Sequence, residues 1–264
     1  MREGIQRVLE QNRRFDYDYI PFGDTWVIPD ERTAYRPDLF GRIAGGFFRT
    51  VECLFGPLII KLVYGAKLVG RENLKALGGK GAITVCNHFS FLDTLFLRHA
   101  VGHYRSYCTA APWNNKRGLA GWFLRVSGVL PFSPNLIATR NLWQEMERLL
   151  SDGKYINFYP EQAMWVNYRK PRPMKEGAFR FAVKYGVPVL PVFCTFDKGR
   201  RGNIRRMRIH ILPAIYADES LPKGARAQRM LEQAQESWRT CYERAYGIPL
   251  TYLDDVRKNP HRRK

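Results

Sequence analysis

The sequence predicts an α/β fold in which a mostly parallel central sheet is flanked by helices, with an N-terminal amphipathic helical region. Runs of β-forming residues alternate with helical patterns over roughly 150 residues, which is typical of parallel strands joined by crossover helices. The chain has 264 residues, of which 45% are hydrophobic and 14% aromatic. That is enough for one such domain with additions or for two small domains.

The predicted elements follow in order along the chain. Strands are predicted at 83–86, 106–110, 128–132, 155–160, 187–196 and 207–216. Helices are predicted at 94–101, 118–128, 138–153, 177–186 and 224–246. Helix 138–153 ends at Gly153, a residue type that favours helix C-termini. We divide the chain into an N-terminal region, 1–65, and an α/β domain with a C-terminal helix and a basic tail, 66–264.

The N-terminal region is predicted to hold an irregular arm, residues 1–35, followed by membrane-associating helices. An apolar stripe from about residue 36 to 64 predicts one or two amphipathic helices, with Pro57 as a break or kink. The stripe either packs on its own domain or lies in the membrane interface, helped by nearby cations. Its apolar members are Phe40, Ile43, Phe47, Val51, Leu54, Leu58 and Leu62, and the cations are Arg42, Arg49, Lys61 and Lys67.

Neither a spanning helix nor export is expected. Arg49, Glu52 and Lys61 interrupt the most apolar stretch, and a span needs about 20 nearly uncharged residues. The first residues lack the apolar core of a secretory signal. The five scattered cysteines show no paired spacing, which predicts reduced cytosolic thiols without a disulfide or zinc site.

The chain is strongly basic. It carries 43 Lys and Arg against 24 Asp and Glu, a formal charge of +19. Such a protein is attracted to nucleic acid, an anionic membrane or an acidic carrier protein, and charge alone does not choose among them. The tail at 257–264 is predicted to be basic and mobile.

A polar pair interrupts the first buried strand of the α/β domain. Asn87 and His88 follow the strand 83–86, and Asp93 begins the next helical pattern. Sites in open α/β sheets form at the carboxyl ends of strands. A carboxylate that accepts the Nδ1 proton of a histidine leaves Nε2 as a base. The alternative is a strand-end histidine with a helix-capping aspartate.

Four segments, in this order, resemble the PlsC-type glycerolipid acyltransferases, the lysophosphatidic acid acyltransferase family. They are NHFSFLD (87–93), APWNNKRGLAGWFLRVSGVLPF (111–132), INFYPEQAMW (156–165) and GVPVLPVFC (186–194), and the resemblance covers roughly residues 66–215. It implies that His88 is a general base oriented by Asp93 and acting on a lipid hydroxyl. The co-substrate would be acyl-CoA or acyl carrier protein, with no covalent acyl-enzyme, metal or other cofactor.

The sequence departs from the family where the acceptor's phosphate would bind. Pro134 stands where the family's second block has an arginine, and Gln162-Ala163 replaces Gly-Thr in the third. Glu161 is retained and is carried over as an acceptor-site residue or a structural anchor. The basic loop beyond it either replaces the phosphate contacts or is merely solvated. Its cations are Arg169, Lys170, Arg172 and Lys175.

Several other residues invite a role and also have a simpler interpretation. The arginine-rich stretch 200–208 either binds anionic headgroups or acyl carrier protein, or needs no ligand. Trp113 and Trp122 line an acyl pocket or membrane face, or belong to the core. Residues expected to be structural, surface or simply hydrophobic are His99, His103, His210 and Cys86.

Two function classes remain at this stage. The first is an O-acyltransferase, peripheral on the cytoplasmic face of the cell membrane, with 1-acylglycerol-3-phosphate or a related lysolipid as acceptor. An N-acyl or glycolipid acceptor stays open. The second is a non-catalytic basic protein that binds nucleic acid or an anionic membrane surface, but no nucleic-acid-binding motif is present, so nucleic acid is not the expected partner. His88→Ala separates the classes, because only the enzyme loses a function.

Overall fold

The computed structural model describes residues 35–115, 118–200 and 202–252. All but the last residue of the predicted N-terminal arm, and the whole basic tail, lie outside these residues. The helices are α1 (Leu39–Tyr64), α2 (Arg71–Ala76), α3 (Asp93–Val101), α4 (Gly118–Val126), α5 (Leu136–Ser151), α6 (Gly177–Tyr185) and α7 (Lys223–Tyr246). The strands are β1 (Lys67–Val69), β2 (Ala82–Cys86), β3 (Ser106–Ala110), β4 (Val129–Pro131), β5 (Tyr155–Phe158), β6 (Val189–Lys198) and β7 (Ile204–Ile211).

The strands form a seven-stranded sheet in the order β1-β7-β6-β2-β5-β3-β4. Neighbouring strands are parallel except β6 and β7, which are antiparallel because a short hairpin connects them. The predicted α/β class with a mostly parallel sheet is therefore confirmed. Strand β2 lies between β5 and β6, so its carboxyl end opens at the middle of the sheet.

Helices cover both faces of the sheet, which explains why β2 is apolar at almost every position. Alternate residues of a strand point to opposite faces. Ile83 and Val85 lie in a cluster with α5, α6 and α7. Ala82 and Cys86 lie in a second cluster, with α3 and one turn of α1. If the alternation of β2 continues beyond Cys86, residue 88 points to the same face as residues 82 and 86, the one covered by α3.

Of the one or two helices predicted, with a break or kink at Pro57, the structure has one continuous helix, α1, and the proline does not break it. The helix begins where the Asp38 side chain accepts a hydrogen bond from Gly41 N at 2.8 Å. It ends at Gly65, whose φ of 57° is the left-handed conformation common at helix C-termini. Proline costs one backbone hydrogen bond, but Gly56 and Ile60 are buried on either side of it and hold the helix on the domain.

A buried charged cluster fixes α1 to the domain. Glu52 accepts hydrogen bonds from Arg98 Nη1 at 2.7 Å and, when the histidine carries the proton, from His103 Nδ1 at 3.3 Å. Arg49, 6% exposed, donates to the carbonyl of His103 at 2.9 Å. Two of the three charges that interrupt the apolar sequence, Arg49 and Glu52, therefore face inward, toward α3 and the loop after it, whereas Lys61 is exposed.

The opposite side of α1 is an exposed apolar face. Its members are Leu39, Phe40, Ile43, Phe47, Val51, Leu54, Phe55, Leu58, Ile59, Leu62 and Val63. By length and composition α1 is also apolar enough to cross a membrane, so the expectation that its charges exclude a span was too strict. Buried core helices of soluble proteins can pass the same test, although only 22% of this helix's most apolar window is buried.

Strand β1 and helix α2 have no counterpart among the sequence predictions. They contain three and six residues, too few for a periodic pattern to stand out. Both follow α1 directly, and β1 pairs with β7 at the edge of the sheet. The division of the chain at residue 65 remains a prediction.

Candidate active site

Asn87 directly follows the central strand, β2, and ties it to its neighbour. Its side-chain amide donates to the carbonyl of Cys194 at 3.1 Å, and its side-chain oxygen accepts from Cys194 N at 2.8 Å. These two bonds join the end of β2 to β6. The next residue, His88, therefore leaves the sheet from a fixed point.

The structure brings His88 and Asp93 together. His88 Nδ1 lies 2.7 Å from Asp93 Oδ2. The same oxygen accepts hydrogen bonds from the backbone N–H groups of Phe89 and Ser90, at 2.9 and 3.0 Å. Asp93 is the first residue of α3, but these partners precede the helix, so the carboxylate organises the loop between β2 and α3.

Burial differs sharply between the two side chains. The Asp93 side chain is 1% exposed and that of His88 is 26% exposed. Burial raises the pKa of Asp93 above its usual value, although the hydrogen bonds from His88, Ser90 and Phe89 act in the opposite direction. The ionised carboxylate is consequently short of water and strongly favours a donor or a cation at Nδ1. An ionised carboxylate can only accept, so a neutral imidazole in this contact would donate from Nδ1, and Nε2 would be the nitrogen that can take up a proton.

Glu161 anchors the backbone of His88. Its Oε2 accepts from His88 N at 3.1 Å, and the carbonyl of His88 accepts from Trp165 N at 3.0 Å. Both backbone polar groups of His88 are thus bonded to the loop that follows β5. Of the two roles expected for Glu161, these contacts support the structural anchor.

Arg172 is buried against Glu161. Its Nη2 lies 3.1 Å from Glu161 Oε2, its backbone N donates to Oε1 at 2.9 Å, and Nη2 also donates to the carbonyl of Ala163. The guanidinium lies over the ring of Trp165, 4.7 Å from its centroid. Arg172 therefore shares the site with His88 and Glu161, but its charge already has a partner.

Arg169 and Lys170 occupy a different environment. Arg169 lies over the ring of Tyr246, at 5.3 Å, and Lys170 lies over Tyr252, at 5.2 Å. Both cations are half-buried against the C-terminal part of the chain. No described contact joins either of them to His88, so their predicted role in phosphate binding rests on sequence alone.

Gln162 stands where the family's third block has glycine, and it keeps a glycine-like backbone. Its φ is 60°, and its side chain is exposed. A residue with a Cβ rarely adopts this conformation. The turn between Glu161 and Ala163 therefore has a backbone conformation that glycine adopts readily, with an exposed polar side chain at its centre.

Tyr159 is a site residue that the sequence interpretation missed. Its ring stacks on that of His88, with centroids 4.0 Å apart and an interplanar angle of 15°. Its hydroxyl shares a hydrogen bond of 3.3 Å with that of Thr94. The signal available in the sequence was parity, because Tyr159 follows Phe158 and so faces the same side of the sheet as His88.

Two tryptophans and two histidines were also considered from the sequence. Trp122 is half-buried and stacks on Phe40 of α1, with centroids 5.8 Å apart, while the side chain of Trp113 lies outside the described residues. His103 belongs to the cluster beneath α1. His210 bonds to Thr195 at 3.0 Å, and burial lowers its pKa to about 4.

The structure also shows the exposure of the arginine-rich stretch 200–208 and of Cys86. Arg200, Arg205, Arg206 and Arg208 are exposed on or beside the β6–β7 hairpin, whereas Arg201 lies outside the description. Cys86 is 1% exposed, and a hydrogen bond with Cys194 together with burial raises the pKa of its thiol. Within the described ranges, no group of three His, Cys, Asp or Glu side chains is placed to hold a metal ion.

Comparison with known proteins gives a consistent result. The family model described as Acyltransferase matches residues 65–195. A 1-acyl-sn-glycerol-3-phosphate acyltransferase of Chlamydomonas reinhardtii is 26% identical over 182 residues, 66% of this chain and 52% of that protein. A chloroplastic protein of the same description from Brassica napus is 29% identical over 162 residues, 58% of this chain and 44% of its own.

Two further similarities extend the comparison. The Saccharomyces cerevisiae 1-acyl-sn-glycerol-3-phosphate acyltransferase is 27% identical over 148 residues, 54% of this chain and 47% of that protein. The chain thus spans about half the length of the curated relatives it matches. The crystal structure of PlsC from Thermotoga maritima superposes with a TM-score of 0.56 at 20% identity, over 78% of this chain and 83% of that one. That likeness shows a shared fold.

Proposed function

Because the chain belongs to the PlsC-type glycerolipid acyltransferase family, we propose that it moves a fatty acyl group from an acyl thioester to a lysolipid hydroxyl. The proposed donor is acyl-CoA or acyl carrier protein, and the proposed acceptor is 1-acylglycerol-3-phosphate. The observation that carries the proposal is the 2.7 Å contact of His88 Nδ1 with a buried carboxylate, that of Asp93. The alternative, a non-catalytic basic protein, leaves this arrangement without a use.

The proposed reaction needs one base and no protein nucleophile. His88 Nε2 takes the proton of the acceptor hydroxyl as its oxygen attacks the thioester carbonyl and forms the C–O bond. Asp93 stabilises the imidazolium that results. The tetrahedral intermediate then expels the thiolate by breaking the C–S bond, and the imidazolium returns the proton to sulfur. A base in this role accelerates transfer by about 10²–10⁴-fold.

Phosphate recognition is the part of the proposal that departs from the family. We assign it to Arg169 and Lys170, since the exposed Pro134 offers no charge and the guanidinium of Arg172 is already paired. Cations on a proline-stiffened loop can meet a phosphate without reordering the chain. The loop is joined to the site through Arg172 and Glu161.

The proposed location is peripheral, on the cytoplasmic face of the cell membrane. The exposed apolar face of α1 and the net charge of +19 support binding to an anionic lipid surface. The charged cluster of Arg49, Glu52, Arg98 and His103 supports a helix that stays docked on the domain. A spanning orientation would have to place Glu52 in lipid, away from Arg98, at a high cost.

Acyl transfer is tested directly with labelled acyl-CoA and acyl carrier protein as donors. The acceptors are lysophosphatidic acid and a lysolipid without phosphate, and the proteins are the unmodified chain and His88→Ala. The expected result is transfer to lysophosphatidic acid that disappears in the variant. Transfer to the phosphate-free acceptor alone would keep the chemistry and refute the acceptor assignment. No transfer by the unmodified protein to either acceptor would refute the proposed function.

A further inference from the structure

The ring of Tyr159 covers one face of the His88 imidazole. The centroids lie 4.0 Å apart and the planes differ by 15°, so the contact is a close parallel stack. We propose that Tyr159 is a positioning residue that fixes the plane of the imidazole and thereby the direction in which Nε2 faces the acceptor hydroxyl. This inference rests on the proposed acyl transfer.

The sheet places Tyr159 where it can do this. Strand β5 pairs in parallel with β2, and the last paired residues are Val85 and Phe158. Tyr159 is one residue beyond that pair and His88 is three beyond it. Val85 and Phe158 point to the opposite face of the sheet, away from α3. Because side chains alternate between the two faces, Tyr159 and His88, an odd number of residues further on, point toward α3. The two rings therefore meet on the same side of the sheet, just past its edge.

The N-terminus of α3 supports both partners of the histidine. Asp93 bonds to Nδ1 of the imidazole, and its neighbour Thr94 shares a 3.3 Å hydrogen bond with the Tyr159 hydroxyl. Burial raises the pKa of Tyr159 well above its usual value, so the phenol stays protonated and can keep this bond. Two consecutive residues of one helix thus hold the edge of the imidazole and the ring that covers it.

The stack supplies a constraint that the carboxylate does not. A single hydrogen bond at Nδ1 fixes one edge of the imidazole but lets the ring rock about the Nδ1···Oδ2 line. Rocking swings Nε2, the atom that must meet the substrate. A flat aromatic surface at 4.0 Å blocks this motion from one side. Misplacement of a reacting group by about 1 Å can cost on the order of 10²-fold in rate.

Kinetics of three variants test the inference. Tyr159→Leu removes the stack, and we expect kcat to fall about 10²-fold while KM for donor and acceptor stays near its original value. Tyr159→Phe keeps the ring and should retain most of kcat. Thr94→Val removes the hydrogen bond that Tyr159→Phe also removes, and in addition the bond from Thr94 to Cys108 Sγ, so the double variant should lose no more activity than Thr94→Val alone.

A matched control separates positioning from general loss of packing. Phe132→Leu removes another half-buried ring at the same edge of the sheet, one that packs on Phe158 and not on His88. It should lower the melting temperature as Tyr159→Leu does and leave kcat nearly unchanged. An equal fall in kcat for both leucine variants would overturn the inference.

Nuclear magnetic resonance of the histidine rings gives a readout that needs no turnover. The resonances of His88 are assigned by their disappearance in His88→Ala. The ring current of Tyr159 should shift the resonances of the carbon-bound protons of the His88 imidazole. We expect the displacement to persist in Tyr159→Phe and to vanish in Tyr159→Leu. Unchanged His88 signals in Tyr159→Leu would refute the positioning role. Absent transfer by the unmodified protein would instead refute the proposed function, leaving the ring signals to decide on Tyr159.

Discussion

At the scale of single residues, the carboxylate of Asp93 does two things at once. It orients His88 and it accepts the backbone N–H groups of Phe89 and Ser90. In Asp93→Asn the amide oxygen can still accept the backbone N–H groups. The amide NH2 group, a donor, then faces Nδ1, which needs an acceptor. We expect kcat for acyl transfer to fall on the order of 10⁴-fold with little change in KM. A variant that kept its kcat would show that the carboxylate does not set the tautomer.

The same substitution carries a stability signature. Because burial raises the pKa of Asp93, the folded protein binds this proton more tightly than the unfolded chain. Ionisation of Asp93 therefore costs stability as pH rises from the usual carboxyl range upward. At pH 7 the free energy of unfolding of Asp93→Asn should be at least as large as that of the unmodified protein. The difference between the two should become smaller toward pH 3. Melting curves across this range check the sign.

Substitution of Arg172 should have a different effect from substitution of Arg169 or Lys170. Arg172→Met leaves Glu161 charged and buried without its partner, which we expect to cost about 3–5 kcal/mol in the free energy of unfolding. Activity should then fall equally with both acceptors. Arg169→Ala and Lys170→Ala should raise KM for the phosphate-bearing acceptor alone. Lys175→Ala, an exposed change on the same loop, is the control.

How far the sequence could predict the site depends on separation along the chain. His88 and Asp93 are five residues apart, so local spacing was enough to expect their contact. Tyr159 reaches His88 only through strand pairing, and no spacing indicates that Arg172 closes on Glu161. The basic loop was interpreted by charge alone, which does not reveal that one guanidinium is buried while its neighbours lie on aromatic rings.

At the scale of elements, the turn after β5 keeps a strained residue. Gln162 has a φ of 60°, so Gln162→Gly should relieve strain and stabilise the protein by about 1 kcal/mol, less the extra freedom of glycine in the unfolded chain. Gln162→Ala keeps the Cβ and should show no gain. Denaturant unfolding of both variants is the measurement, and equal stabilities would contradict the assignment of strain to this residue.

Helix α1 shows where local rules lose to packing. The proline at 57 predicted a break or a kink, and the helix is not broken there because contacts on both sides of it are made with the domain. The short β1 and α2 gave no signal of their own and depend on pairing with β7 and on the end of α1. The alternation between β2 and α7, by contrast, was readable because most of its elements are long enough to show their period, although β4 has only three residues.

The attachment of α1 depends on an ionised Glu52. Burial acts to raise the pKa of this carboxyl, but hydrogen bonds with His103 and Arg98 outweigh it and hold the pKa below its usual value. Stability from this group is therefore present above the usual carboxyl pKa and lost as pH falls through the lower one. Glu52→Gln should loosen α1 at neutral pH, seen as faster hydrogen exchange in residues 39–64. Glu72→Gln, exposed on α2, should not.

At the scale of the whole molecule, apolar surface and positive charge act together. We expect binding to anionic vesicles that weakens with added salt, since screening acts over about 10 Å at 0.1 M. Leu58→Glu or Leu62→Glu, on the exposed face of α1, should weaken binding to anionic vesicles, and His88→Ala should leave it unchanged. Equal binding to neutral and anionic vesicles at all salt concentrations would remove charge from the explanation.

The two backbone bonds of His88 also order the events of biosynthesis. The histidine and its aspartate leave the ribosome together, but Glu161 and Trp165, which hold the histidine's N–H and C=O, emerge more than seventy residues later. A nascent chain that stops short of them contains the proposed base, His88, without the two groups that bind its backbone. We therefore expect the backbone of His88 to be held in place only after the loop that follows β5 has been translated and has closed on the earlier one.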